Sequence, residues 1–160
     1  MRIRELFPSE TALVAQFYRE APDYWLLAEG RLDADDKASD FFTDAPPNCD
    51  PVESDRLGLF IDHRLSGVAE VSYGFPESND AYLGLMLLGP WAQGHGRGRT
   101  FLAHAAASAR KRHAARLYLA VLDINPRGRA FWLREGFTPT RLRGQDKTTG
   151  HWLERLVKPL

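Results

Sequence analysis

A single cysteine, Cys49, stands in a chain of 160 residues, so no disulfide can close within it. Small secreted scaffolds depend on such bridges, and one lone thiol fits a reducing compartment. No run approaches the roughly 18 consecutive apolar residues of a membrane helix. The opening Met1-Arg2-Ile3-Arg4-Glu5 lacks the apolar core of a signal peptide. The expectation is a cytoplasmic protein with no membrane partner. His104, His113 and His151 show no metal-ligand spacing with acids or cysteines, so no metal is expected. Cys49 sits in a Pro-rich loop with no histidine nearby in sequence and is not read as a nucleophile. Internal repeats and linkers are also missing. Apolar residues make up 44%, enough for one core, and the chain is read as one domain spanning 1–160.

The net charge is zero, but the zero hides a split. Residues 1–88 hold seven Lys/Arg and seventeen Asp/Glu, whereas residues 89–160 hold fourteen and four, so the halves stand at −10 and +10. Either the protein has two sites of opposite sign, or the halves neutralise each other in the fold. The chain is not basic as a whole. Arg110-Lys111-Arg112 reads as a solvated helix end, and no nucleic-acid partner is expected.

Apolar spacing sets out the elements. Ile3–Phe7 alternates weakly as a first strand. Leu13, Val14, Phe17 and Tyr18 predict an amphipathic helix over 10–20, with Ser9 as its N-cap, ended by Ala21-Pro22. A short helix is expected over 23–29. Residues 30–55 are rich in Asp, Pro and Ser and read as a long acidic loop with one short helix near 35–42. Three strands follow as an antiparallel meander, Arg56–Asp62, Val68–Tyr73 and Ala81–Leu88, the last nearly all apolar. A helix is expected over 98–113 and a buried strand over 117–122. A helix over 126–135 has Asn125 as N-cap, Pro126 at its first position and Gly136 beyond its end. Phe137–Arg143 and His151–Val157 are the last strands. This order predicts a mixed α/β fold, a mostly antiparallel sheet of six to seven strands flanked by helices. Trp25 and Trp91 read as packing residues.

The informative stretch is Leu88-Gly89-Pro90-Trp91-Ala92-Gln93-Gly94-His95-Gly96-Arg97-Gly98-Arg99, which joins an apolar strand to a helix. Glycines let the backbone approach a ligand closely, and a helix N-terminus offers unpaired N–H groups and a positive dipole end. Together they make an anion site, with Arg97 and Arg99 adding full charges. A nucleotide P-loop is excluded because no Lys-Ser/Thr follows the last glycine. A dinucleotide loop is disfavoured: counted from Gly94 the third glycine is Arg99, and counted from Gly96 it is Phe101. Asp123, at the end of the next strand, keeps a nucleotide-binding oxidoreductase as a rival.

Gln93-x-x-Gly96-x-Gly98 resembles the Q/R-x-x-G-x-G/A motif of the GCN5-related N-acetyltransferases. Leu88-x-Pro90-x-x-Gln93 is similar to that family's lead-in, and Asn125, Gly136 and Phe137 fall at the spacing of its N…GF signature. The likeness spans roughly residues 56–160. It implies that acetyl-CoA is the co-substrate. Backbone N–H groups over Gly94, His95, Gly96, Arg97, Gly98 and Arg99 would hold the pyrophosphate. Met86 and Leu88 would pair with the pantetheine arm in a splay between strands 81–88 and 117–122. The Leu88 N–H would face the thioester oxygen, and Asn125 would order this side of the cofactor. Where the family has a tyrosine that protonates the leaving thiolate, this chain has Trp132, whose indole N–H cannot do so. Trp132 can pack against the cofactor instead.

The implied reaction is direct attack of a neutral primary amine on the thioester, so a base is needed. Glu70 lies in a strand beside the implied cleft. Its alternating neighbours Val68, Val71 and Tyr73 leave its facing open, and a solvent-facing strand glutamate is the favoured reading. Tyr82, six residues before Leu88, stands where some family members place a catalytic glutamate, and Asp80 is a third option that reads better as a turn residue. His95 reads as a polar filler. The acidic stretch 30–55 would favour a cationic small-molecule or peptide amine. A catalytically silent acyl-CoA-binding sensor is the alternative reading, and a homodimer is compatible with the sequence.

Overall fold

The structure, a computed structural model, describes residues 1–160. One seven-stranded sheet organises it: β1 (Arg2–Glu5), β2 (Asp55–Ile61), β3 (Arg64–Tyr73), β4 (Ala81–Leu88), β5 (Arg116–Leu122), β6 (Thr138–Gln145) and β7 (Trp152–Pro159), in the order β1-β2-β3-β4-β5-β7-β6. Only the β4–β5 pair is parallel; the others are antiparallel. Five helices flank it: α1 (Thr11–Glu20), α2 (Asp23–Glu29), α3 (Ala34–Thr43), α4 (Arg97–Lys111) and α5 (Pro126–Arg134). This is the expected mixed α/β architecture. The last two strands begin one residue and end two residues later than the sequence pattern suggests, and Phe137 is a buried core residue just before β6.

Two cores lie on opposite faces. On one, Ala69 and Val71 of β3 and Leu117, Leu119 and Val121 of β5 pack with Phe101, Leu102, Ala105 and Ala109 of α4. On the other, Leu65 and Val68 pack with Val14, Phe17 and Tyr18 of α1 and Ala38 and Phe41 of α3. β3 is therefore covered on both faces, which erases the polar–apolar alternation that would reveal its orientation. The second core draws nothing from β5, β6 or β7, so on that face this half of the sheet has no helical cover. The stretch 30–55 is mostly built structure: α3 packs along α1, and Asp33 caps it by accepting the Asp36 N–H at 3.2 Å.

Local chemistry explains most termini. Asn125 Oδ1 accepts the Gly128 N–H at 3.0 Å and Pro126 follows at the first helical position, while Gly136 takes φ 98° beyond the end. The first helix differs from expectation, since Ser9 caps nothing. A 3-10 turn over Pro8–Glu10 precedes α1, and Glu10 reaches back to the Phe7 N–H at 3.1 Å while pairing with Arg4 at 2.9 Å. Glu10 thus secures the amide ahead of the turn, and no side chain caps the first amides of α1.

Two irregularities shape the sheet centre. β4 and β5 share register only at Ala81↔Leu117 and Tyr82↔Tyr118, then splay. Across β3–β4 the register runs Glu70↔Leu85 and then Val71↔Leu83, so Gly84 is an extra residue and β4 bulges there.

Candidate active site

A cavity of about 1150 Å³ runs through the splay. At one end lie Gln93, Gly94, Gly96, Gly98, Asn125, Phe131 and Trp132; at the other lie Ala21, Asp23, Tyr24 and Leu27. The walls are β4 from Leu83 to Leu88 and β5 from Leu119 to Leu122. The cavity thus joins the two faces of the sheet.

The glycine-rich end has bare amides. The first turn of α4 has no side-chain cap, and no hydrogen bond from elsewhere in the chain reaches the N–H groups of residues 94–99. Gly94 and Gly96 take φ 84° and 73°, and a Cβ on either would meet open space. Open, positive-φ glycines with free N–H groups beside a helix N-terminus suit a pyrophosphate. Gly98 serves close packing instead: a Cβ there would sit 3.2 Å from the Phe131 ring, a tight contact.

The strand geometry aims the remaining amides. Gly89 N–H donates to Ser66 O of β3 at 2.8 Å. Alternation along β4 then turns the N–H groups of Met86 and Leu88 the other way, into the splay. The Gln93 amide donates to Leu88 O at 3.2 Å and fixes the approach to the glycines.

The other sequence-expected residues divide. Arg97 is half-buried and has no carboxylate partner. Arg99 lines the cavity together with Glu135, to which its Nε donates at 3.0 Å, so its charge is already paired, whereas Arg97 lies outside the cavity lining. His95 is exposed and outside the cavity lining. Asn125 lines the cavity, but its Oδ1 is committed to capping α5. Trp132 lines the cavity and packs edge-on between Phe131 and Phe137, at 4.9 and 5.6 Å between ring centres. Asp80 is a buried turn residue that accepts the Glu77 N–H and pairs with Arg116, both at 3.2 Å, which removes it as a base. Asp123 pairs with Arg143. Trp91 stacks under Arg64 and donates to Ser66 at 2.9 Å, a packing role as expected.

Glu70 corrects the expectation of a solvent-facing residue: it is 7% exposed. Its face of β3 carries Val68 and Ser72 and points toward α1 and α3. Ser72 Oγ donates to Glu70 Oε1, Arg56 Nη1 lies 3.6 Å from the same oxygen, and Ser54 bonds Ser72 at 2.9 Å. Burial pushes the Glu70 carboxyl above the usual carboxylate range, against the opposing pull of Ser72 and Arg56. A cavity of about 120 Å³ adjoins it, lined by Tyr18, Trp25, Asp40, Asp44 and Arg56. Tyr18 Oη, Trp25 Nε1 and Arg56 Nε have no protein partner. These polar walls and this volume suit water.

Tyr82 pairs with Tyr118 where β4 and β5 part, and packs edge-on against Phe75 at 5.3 Å. Burial raises its phenol above the ordinary value. It lines neither cavity, so the structure does not bring it to the splay. Sequence reading missed Gly84, which lines both cavities and lies directly against the Glu70 carboxylate, while Glu70 itself lines only the small one. An isolated glycine in an apolar strand is the signal that points to such a bulge. No group of His, Cys, Asp and Glu side chains is placed to hold a metal ion, and no helix is long and apolar enough to cross a membrane.

A sheet split open above a bare helix start is the arrangement of the acetyltransferase class that the glycine motif resembles. The chain belongs to the acetyltransferase (GNAT) family, whose model matches residues 13–137. It is similar to an acetyltransferase from Thermus thermophilus, with TM-score 0.75 and 26% identity over 99% of this chain and 96% of that one. It shares its fold with the PaiA N-acetyltransferase of Thermoplasma acidophilum in complex with coenzyme A, with TM-score 0.72, 20% identity, and 99% and 98% of the chains covered. The ribosomal-protein-S18-alanine N-acetyltransferase of Escherichia coli gives TM-score 0.69 and 17% identity over 99% and 92%. No curated protein sequence matches the chain.

Proposed function

We propose that the 160 residues act as one cytoplasmic domain that transfers an acetyl group from acetyl-CoA to a primary amine by direct attack. The observation that carries this reading is the cavity through the splay, with free amides at one end and, behind Gly84 in its wall, the buried Glu70 carboxylate of the small adjoining cavity. The N–H groups of Gly94 to Arg99, with Arg97, would hold the diphosphate, and the amides of Met86 and Leu88 would align the arm along β4. Bound there, acetyl-CoA supplies an activated acyl thioester.

The chain's own groups then do three things. The Leu88 N–H, fixed by the β3–β4 ladder, donates to an acyl oxygen and favours negative charge on it. Holding amine and acyl carbon in one narrow gap removes the entropy of bringing them together. Glu70 takes the proton the amine must lose, directly or through water, and the small polar cavity gives that proton a way out toward Asp40 and Asp44. A raised carboxyl is better matched to this task than an ordinary one, since it holds a proton more firmly near neutral pH. Trp132 packs and does not donate, so the thiolate leaves to solvent, helped by a thiol pKa near ~8.5.

Calorimetry with coenzyme A and thiol release over a panel of amines test the proposal. Micromolar binding with turnover on at least one amine is expected. Binding with no turnover on any acceptor would favour the silent acyl-CoA-binding module, and no binding would end both readings.

A further inference from the structure

Most arginines of the basic half are neutralised inside the fold. Arg99 meets Glu135, Arg112 meets Glu53 and Asp55, Arg116 meets Asp80, Arg129 meets Glu154 and Arg143 meets Asp123. Among the arginines with no carboxylate partner, only Arg97 and Arg155 are partly buried; the others are exposed. Arg97 lies at the glycine loop, where an anion is expected. Arg155 lies on the opposite side of the sheet. A partly desolvated cation with no counter-charge is costly, and such a cation beside a cleft implies that an anion comes from outside.

The register fixes where Arg155 stands. Its neighbour Leu156 is in the core under α4, so alternation turns Arg155 to the other face. Arg155 pairs across the ladder with Ala120, and Ala120 lines the through-cavity. Its guanidinium is held over the Phe75 ring at 5.0 Å, and Phe75 packs on Tyr82. This face of β5–β7 has no helical cover, and Tyr24 and Leu27 of α2 line the cavity mouth on the same side. The guanidinium is therefore oriented by an aromatic ring on the uncovered face of the sheet, outside the cavity lining and one strand (~5 Å) beyond its β5 wall, on the same side as the α2 mouth.

We propose that Arg155 determines acceptor specificity by binding a carboxylate carried by the amine substrate, so that the acceptors are amino acids or peptide ends of like chemistry. This rests on the acetyltransfer reading above. A planar guanidinium with its fork free is suited to a carboxylate in a bidentate pair. The two charge signs of such an acceptor have separate partners: its ammonium group meets the acidic α2–α3 side and Glu70, and its carboxylate meets the β7 side.

The test compares leucine, methionine and glutamate with their α-carboxamides in thiol-release assays, in the wild type and in Arg155→Gln and Arg155→Lys. A second arm uses C-terminally amidated peptides beginning with aspartate or asparagine. The acid-to-amide ratio of kcat/KM is expected to fall by about tenfold or more in Arg155→Gln, with partial retention in Arg155→Lys. The fall appears in the free amino acids or in the peptide arm, which tells the two sources apart. An unchanged ratio in both arms overturns the proposal even if turnover is fast. Should no amine turn over while coenzyme A still binds, calorimetry with N-acetyl-leucine and N-acetyl-leucinamide decides the matter. The wild type is expected to prefer the acid, and Arg155→Gln to lose that preference; equal wild-type binding of the two overturns the proposal. Failure of coenzyme A binding itself would instead sink the acetyltransfer reading.

Discussion

The Glu70 carboxylate occupies the space where a side chain on Gly84 would begin: a Cβ built there would overlap Glu70 Oε2. The bulge in β4 and the buried acid in β3 are thus one feature. Gly84→Ala is expected to displace Glu70, lowering stability by about 1–3 kcal/mol and cutting turnover. In a Glu70→Ala background the same change should cost much less. Denaturant melts of the four proteins check this, and additive costs would show that the two residues are not coupled.

Glu70 carries the pH dependence of the proposed reaction. Its carboxyl is raised by burial, so the base is lost by protonation at a higher pH than for an exposed glutamate. The kcat/KM profile should fall toward acid with a midpoint above the ordinary ~4.3. Glu70→Gln is expected to remove that limb and to reduce kcat about 100-fold. An intact acid limb in the variant would assign the base elsewhere.

At the glycine loop, Gly96→Glu introduces a carboxylate where diphosphate is expected, at a backbone φ of 73° that side chains rarely adopt. Coenzyme A affinity should drop by about tenfold or more. Arg97→Gln, which imposes no backbone strain, is expected to weaken binding in the same direction. Normal affinity in both variants would remove the loop from the cofactor site.

Glu10 sets part of the acid stability. Its carboxyl is held below the usual range by the hydrogen bond to Arg4, so the folded state binds its proton more weakly than the unfolded chain. The stabilisation is therefore present above the unfolded carboxylate pKa and is lost as pH falls through the lower folded value. Glu10→Gln should cost about 1 kcal/mol at neutral pH, from the lost pair and the weakened Phe7 cap, and nearly nothing in strong acid. Urea midpoints at several pH values measure it.

Asp35 and Asp36 stand on the exposed side of α3. Replacing both by Asn is expected to raise KM for a cationic amine at low salt, with the difference shrinking as ionic strength rises. A KM that does not move at any salt concentration would remove α3 as a steering element.

The sequence shows some of these features better than others. The near-continuous apolar run of β4, the bare glycine turn and the Asn125/Gly136 brackets of α5 each depend on local chemistry, and each lies where spacing put it. Glu70 is harder to read, because a strand covered on both faces has no polar side to set its phase. The Gly84 bulge then shifts the facing of Leu85 to Leu88 by one residue, which alternation alone does not register. Arg99 and Glu135 are 36 residues apart, so their pairing belongs to tertiary structure. Arg155 looks like one more basic strand residue until the other arginines are matched with their acids.

The short parallel tie between β4 and β5, two register pairs long, leaves the sheet as two plates joined near one end. Backbone groups along the open seam have no partner in the adjacent strand, so an extended guest could act as the missing mortar. The empty protein should then exchange the Ala120 and Leu122 amides, which face the seam, more readily than those of the neighbouring β3, and a bound guest should slow that exchange and raise the melting temperature together.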